Sequence, residues 1–281
     1  MPLAGAAKSS DSSRVLAPPK AVFKRDEESI MGKSSAGFLP GLVFILSSLR
    51  SVQAAELQVI AGGGIAGPLK EMAAQFESIS GHKIVIRYGT APELIQMSTI
   101  GGPFDLGVVP QDVLKDAAAR MQFAPGPVAN VARVGIGVAV RSSAPRPDIS
   151  TPAALKQALL KAQSVASIPA SATGMQLSSI YERLGIAEEM KAKTKAQPTP
   201  QRIVEAVANG DAELAVFTLN VLMDPRIETV GPFPAEVQRE VVYAAAIAAN
   251  SKEPETAKAF ITYLLSPPAM AVIKAKGMNP G

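Results

Sequence analysis

Cysteine and tryptophan are absent from the 281 residues, and histidine occurs once, as His82. Without cysteine there is no disulfide, no thiolate nucleophile and no thiolate-bound metal. A single histidine excludes a poly-histidine metal site, and nothing in the chain forms a Ser-His-Asp arrangement or a carboxylate pair at metal spacing. Aromatic residues make up 5% against 47% hydrophobic residues. That is the composition of a well-packed globular chain with alanine-rich helices, not of a disordered one. A basic stripe is missing too. The formal charge is +4, but residues 1–54 hold seven Lys/Arg and four Asp/Glu, leaving 21 basic and 20 acidic residues in the remainder. A near-neutral body gives a nucleic-acid partner no footing. The length suits one large domain or two small ones.

The excess charge sits beside a targeting pattern. Residues 1–30 are polar and show no periodicity. Met31-Gly-Lys-Ser-Ser then precedes an apolar run from Phe38 to Leu49, and Val52-Gln53-Ala54 puts small or modest residues where a signal peptidase reads. The run is short for a bilayer and contains Pro40 and Gly41. We expect residues 1–54 to be an export signal region starting at about Met31, with cleavage after Ala54 and a mature chain in the periplasm.

The mature chain is organised around Leu57–Phe76. Leu57, Val59 and Ile60 read as a strand, Gly62 to Gly67 as a tight loop, and Pro68 opens a helix with Leu69, Met72, Ala73 and Phe76 on one face. Glycines admit close approach to the backbone, and a helix start carries unpaired N–H groups with partial positive charge. This predicts a site for an anion, with Gly63, Gly64 and Ile65 as contacts. Gly62-x-Gly64-x-x-Gly67 also fits a dinucleotide fingerprint, but strand two ends in Arg87-Tyr88-Gly89, with no acid to hold a ribose. No Gly-Lys-Ser/Thr follows, so it is not a phosphate-cradling loop. No cofactor and no metal are expected.

The same theme recurs. Lys83–Tyr88 is strand two, and Gly89-Thr90-Ala91-Pro92 leads into a helix over Glu93–Thr99. Phe104–Val109 is strand three, followed by Pro110-Gln111 and a short helix over Val113–Ala119. The order βαβαβ predicts a parallel sheet covered by helices. Val131–Val140 is a strongly alternating strand. Further strands are expected at Val165–Pro169, Leu214–Phe217 and Val241–Ala249. Helices are expected after Thr151-Pro152, over Met175–Leu184, from Pro200 to Ala208, over Glu253–Leu265 and over Ala269–Lys276. A loop fills the stretch up to Pro200. The fold class is α/β: two α/β lobes with mixed, mainly parallel sheets joined by a hinge. Lobe 1 is residues 55–138 plus 241–281, lobe 2 is residues 139–240, and the cleft between them is the site.

Strand ends supply the other candidates. Thr90 and Ala91 offer a hydroxyl and amides, or an ordinary helix cap. Arg87 would grip a carboxylate with two parallel hydrogen bonds if it faces the cleft. Tyr88 faces the opposite way by alternation. Ser171, Thr173 and Gly174 precede a helix in the second lobe and mirror the first loop, with capping as the plainer reading. Thr218 and Asn220 follow a strand, and Gln111 lines the wall. His82 lies in a turn at the wrong end of the sheet for a ligand.

Several phrases carry a family resemblance: Leu57–Ala61, Lys83–Thr90, Phe104–Val109, Asn209–Thr218 and Ala257–Gly277. On these the chain resembles the periplasmic solute-binding proteins of the molybdate-binding type, which close two α/β lobes on a small ligand held by amides and hydroxyls. The resemblance implies a monomer that traps a small anionic solute and works with an ABC transporter permease. That family usually has Ser where this chain has Gly64, a Ser-rich turn where it has Thr90-Ala91-Pro92, and often Tyr where it has Thr218. These departures point to an organic carboxylate in place of a tetrahedral metal oxyanion. An aconitate isomerase is similar to the same family, which makes a cofactor-free isomerase the second reading. Such an enzyme needs carboxylate clamps, such as Arg87 or Arg133, and one general base. Glu93 is the best-placed carboxylate, with Asp105 and Asp112 behind it, and its plainer role is to complement a helix start.

Overall fold

The computed structural model describes residues 54–281. The export signal expected over residues 1–54 lies outside them but for its last position. Strand β1 (Glu56–Gly62) runs through a 3-10 turn (Gly63–Ile65) into helix α1 (Ala66–Ser80). Leu69, Met72, Ala73 and Phe76 form the buried face of α1, the spacing that one side of a helix presents. Gly81 ends it with φ 73°, in the left-handed region that glycine enters without a side-chain clash. Next come β2 (Lys83–Gly89), α2 (Ala91–Thr99) and β3 (Leu106–Pro110), then the short helices α3 (Gln111–Lys115) and α4 (Ala117–Arg120). One helix was expected in that last stretch. Asp116 divides it by adopting extended backbone, and its carboxylate accepts from Ala119 N at the start of α4.

The long strand β4 (Ala129–Arg141) follows, then α5 (Pro152–Lys161), β5 (Val165–Ser167) and α6 (Ala172–Leu184). The expected loop before Pro200 contains helix α7 (Ala187–Lys193) and strand β6 (Thr194–Ala196). Ile186 and Met190 anchor this segment in the core, and two apolar residues among many charges leave little periodicity to read. Then come α8 (Pro200–Ala208), β7 (Leu214–Thr218), the single turn α9 (Leu219–Leu222), β8 (Ile227–Pro232) and β9 (Glu240–Ile247). Helices α10 (Pro254–Leu264) and α11 (Pro267–Ala275) and the two-residue strand β10 (Asn279–Pro280) complete the chain.

The main sheet path is β2-β1-β3-β9-β4-β7-β5-β6. Pairing is parallel at both flanks, between β1 and its neighbours β2 and β3 and between β5 and its neighbours β6 and β7. It is antiparallel at the centre, where β9 and β4 lie. Strand β4 changes partner partway along. Ala129–Gly135 pairs with β9, whereas Ile136–Val140 pairs with β7. Gln238 brackets that change: its side chain accepts from Ile136 N and donates to Ile136 O, both at 2.9 Å.

Strands β1, β3, β5 and β7 are covered on both faces and buried almost throughout, as inner parallel strands are, whereas the flanking strands β2 and β6 are largely half-buried or exposed. On β1, Leu57, Val59 and Ala61 face the core under α1, α10 and α11, whereas Ile60 faces the core under α2, α3 and α4. On β7, Leu214 and Val216 face the core of α5, α6 and α7, and Ala215 and Phe217 that of α8. Asp105 ties the loop after β9 to β1. Its buried carboxylate accepts from Gln58 N at 2.9 Å, Ser251 Oγ at 2.9 Å, Lys252 N at 2.8 Å and Glu253 N at 3.2 Å. Hydrogen bonds to a charged group are each worth about 1.5–3 kcal/mol and do not sum. Replacing Asp105 with Ala leaves several buried donors unanswered, and denaturant unfolding is expected to show a loss of about 3 kcal/mol.

Candidate functional site

A cleft of about 500 Å³ opens where the flanking parallel strands end. Gly63, Gly64 and Gly67 follow β1, and Gly89 and Thr90 follow β2; Ile168 and Ser171 follow β5, and Phe217 closes β7. Ligands of α/β sheets bind beyond the carboxyl ends of strands for a topological reason: the loops there are free to vary, and helices begin there. Four helices start on this cleft, α1, α2, α6 and α8, each nine residues or longer. Their dipoles place partial positive charge on one space.

Those four starts are not equivalent. Ser171 caps α6: its Oγ accepts from Gly174 N at 3.0 Å and donates to Ile168 O at 2.7 Å. Thr199 Oγ1 accepts from Arg202 N at the start of α8. At α2, Glu93 Oε2 accepts from Thr90 N at 2.7 Å and from Thr90 Oγ1 at 2.9 Å. The turn after β1 begins with no side-chain cap, and neither it nor the start of α1 has a side chain folded back on its amides. Ala66 N donates to Gly63 O, so the amides left for a ligand are those of the turn Gly63–Ile65. Among the described residues, Lys70 and Glu93 are the charged ones lining this cleft.

A second cavity of about 370 Å³ adjoins the first. Gly63, Gly64, Ala66, Gly67, Pro200 and Gln201 line both. Its charged groups are already engaged: Arg226 pairs with Asp224 at 2.9 Å, and Lys276 with Glu71 at 3.0 Å.

The sequence-derived candidates fall into three groups. Gly63, Gly64, Thr90, Ser171 and Glu93 line the cleft. Ile65, Ala91 and Thr173 are adjacent but have buried side chains, so they offer the cleft backbone only. Thr218 is wholly buried behind Gly64, and Asn220 Nδ2 donates to Gly64 O at 2.8 Å. Gly174 lines a different cavity, on the far side of α6. A Cβ on it would fall on the carbonyl oxygens of Pro169 and Ile168, so glycine is needed there for close packing.

Arg87, Gln111 and Arg133 are placed away from the cleft. Arg87 donates to Gly101 O at 2.8 Å and Pro103 O at 3.2 Å, fastening the loop after α2. Alternation along β2 gives the cleft face to Tyr88 instead. Gln111 donates to Asn130 Oδ1 at 2.8 Å, and Arg133 pairs with Glu240 at 3.4 Å. Asp105 is spent on backbone donors, and Asp112 pairs with Lys115. His82 Nδ1 accepts from Ala55 N at 3.1 Å, remote from the strand ends. Lys70, Thr199, Pro200 and Tyr88 were not among the candidates. The Thr199-Pro200 pair was legible, because it repeats the cap-then-proline signature of Thr151-Pro152. Lys70 carried no signal beyond its place one turn into α1.

Strand ends and helix starts converging on a cleft define an α/β binding-protein architecture. The chain belongs to the family of bacterial extracellular solute-binding proteins, whose model matches residues 57–279. It is 34% identical to an aconitate isomerase of Pseudomonas sp, over 80% of this chain and 87% of the relative. It is 27% identical to the molybdate-binding protein ModA of Azotobacter vinelandii, over 81% and 91%. The solved Azotobacter vinelandii periplasmic molybdate-binding protein superposes with a TM-score of 0.67 at 19% identity, covering 80% of this chain and 99% of that one.

Thr90 sets the acidity of Glu93. Its amide, and then its hydroxyl, hold the Glu93 carboxyl below the ordinary value of 4.5. A group depressed on folding adds stability above its unfolded pKa and loses it as pH falls through the folded one. The Glu93 resonance in an NMR titration is expected to move with a midpoint below 4.5. The Thr90→Val variant, which removes the hydroxyl, is expected to raise that midpoint and weaken the acid limb of stability.

Proposed function

We propose that the chain is an exported binding protein that holds a small organic carboxylate in this cleft and delivers it to an ABC transporter. The carrying observation is the cleft itself: helix starts converge on it, one presents uncapped amides, and Lys70 supplies the positive charge. About 500 Å³ falls in the range that encloses small organic molecules. No arginine among the described residues lines it, so in this reading the ligand's charge is met by amides, hydroxyls and one ammonium. The two lobes we propose move about the point where β4 changes partner, Gly135–Ile136, and the return at Gln238–Glu240. Closure there would exclude water from the anion and strengthen each hydrogen bond. Membership of the family and the periplasmic setting of the Azotobacter vinelandii protein support export.

Isothermal calorimetry with citrate, cis- and trans-aconitate, molybdate and sulfate tests this reading. Saturable binding of a carboxylate is expected, with Lys70→Met weakening it about tenfold, the effect of losing one charge-assisted contact. Binding of molybdate or sulfate alone would overturn the carboxylate class.

One observation favours a second reading, an isomerase that moves a proton between carbons. The Pseudomonas sp relative is named an aconitate isomerase, and Glu93 stands on the cleft wall. Glu93 is ionised and so free to accept a proton, but the two bonds from Thr90 make it a weak base. Absorbance of trans-aconitate with time separates the readings. Turnover that Glu93→Gln reduces a hundredfold or more would make the chain an enzyme. Saturable binding without turnover leaves it a binder.

A further inference from the structure

Gly64 lacks a side chain for a reason that its backbone does not supply. It is not among the glycines with positive φ, so the turn would accept another residue. What forbids one is Tyr243, on β9. A Cβ at position 64 would fall on Tyr243 Oη, with Tyr243 Cζ at 3.4 Å and Thr218 Oγ1 at 4.0 Å. A Cβ at position 62 would likewise lie 2.8 Å from Tyr243 Cε1. Two of the glycines that precede α1 thus make room for one phenol.

The groups gathered behind Gly64 are polar and incompletely paired. Thr218 is fully buried, and its hydroxyl has no hydrogen-bond partner among the described residues. Tyr243 is 3% exposed. Burial pushes its phenol above the ordinary value, so it stays a donor. Asn220 donates to Gly64 O and leaves its buried Oδ1 unpaired. Buried hydroxyls are normally satisfied, and Thr218 Oγ1, left open beside Gly64, calls for a partner. Tyr243 comes from the half of the sheet that holds β1, and Thr218 from the half that holds β5. The two halves therefore present one hydroxyl each beside the turn Gly63–Ile65, which begins with no side-chain cap.

We propose that Tyr243 and Thr218 are specificity-determining residues of the cleft. The Tyr243 hydroxyl stands where a side chain on residue 64 would, with the Thr218 hydroxyl beside that place, and the two donate to one carboxylate oxygen of the bound anion. The ligand class rests on the reading of the cleft as a carboxylate site. Tyr243 contributes an oxygen on a rigid ring, so the acceptor position is set by the core and not by a mobile loop side chain.

Two experiments test this, and they fail separately. In calorimetry with cis- and trans-aconitate and citrate, Tyr243→Phe and Thr218→Val each remove a single hydrogen-bonding group and keep the shape. Each is expected to weaken carboxylate binding tenfold or more with the melting temperature held or raised. Unchanged affinity in both variants would overturn the contact. The second experiment needs no ligand. Gly64→Ala is expected to lower the melting temperature, and G64A/Y243F to recover most of the loss, because the nearest remaining atom is then 3.4 Å away. No recovery would overturn the claim that the phenol holds the place of residue 64. If the unmodified protein binds none of the carboxylates, the functional reading falls and the ligand contact with it. Recovery in G64A/Y243F would still uphold Tyr243 in that place.

Discussion

Everything in the fold depends on one strand serving two sheet halves. β4 is thirteen residues long, and a strand can offer its two edges to different partners along its length. It gives its first part to β9 and its second to β7 and β8. At the change, Ile136 N donates to Gln238 Oε1, and Ile136 O accepts from both Gln238 Nε2 and Phe233 N. An unpaired buried amide would be costly there. Because the shared strand is antiparallel to its neighbours, each half keeps its parallel strands on the outside. Their carboxyl ends then meet across a single cleft.

That geometry makes the cleft electropositive with little formal charge. Helices begin where parallel strands end, so their dipoles are aligned by topology and not by placed lysines. Side-chain caps then quench some starts and leave one open. Ser171 and Thr199 occupy amides of α6 and α8, and Glu93 the Thr90 amide just before α2, whereas the turn at Gly63–Ile65 begins with no side-chain cap. Selectivity in such a site comes from which amides stay uncapped and which hydroxyls stand beside them. Asn220 adds a link between halves by donating to Gly64 O.

Much of this could be read in the chain. Alternation marked β4, and the change from period 2 to 3.6 across Gly62–Gly67 marked the start of α1. Cap-and-proline pairs marked α2, α5 and α8. Where charge hid the pattern, the reading failed: α7 rests on Ile186 and Met190 alone, amid lysines and glutamates. The candidate site was legible by type more than by member. Glycines and hydroxyls at strand ends announce a polar cleft, and Gly63, Gly64, Thr90 and Ser171 are on its wall. The arginines were less readable, because a guanidinium serves a carbonyl as well as a ligand. Arg87 was taken by Gly101 and Pro103, and Arg133 by Glu240.

Local order, then, was determined by the sequence itself: the alternation of strands and helices, the glycine turn and the exclusion of thiolate chemistry and of a poly-histidine metal site. Those features depend on residues a few positions apart, and near-neighbour sterics and periodicity are written in the chain. Only the tertiary structure decided which face of β2 meets the cleft, which helix start stays uncapped and why residue 64 is glycine. Tyr243 lies nearly two hundred positions from Gly64 along the chain, roughly the span at which no period or propensity carries information. Packing β9 beside β3 brings the phenol to the glycine, and the space it takes is visible only once the two strands share a sheet.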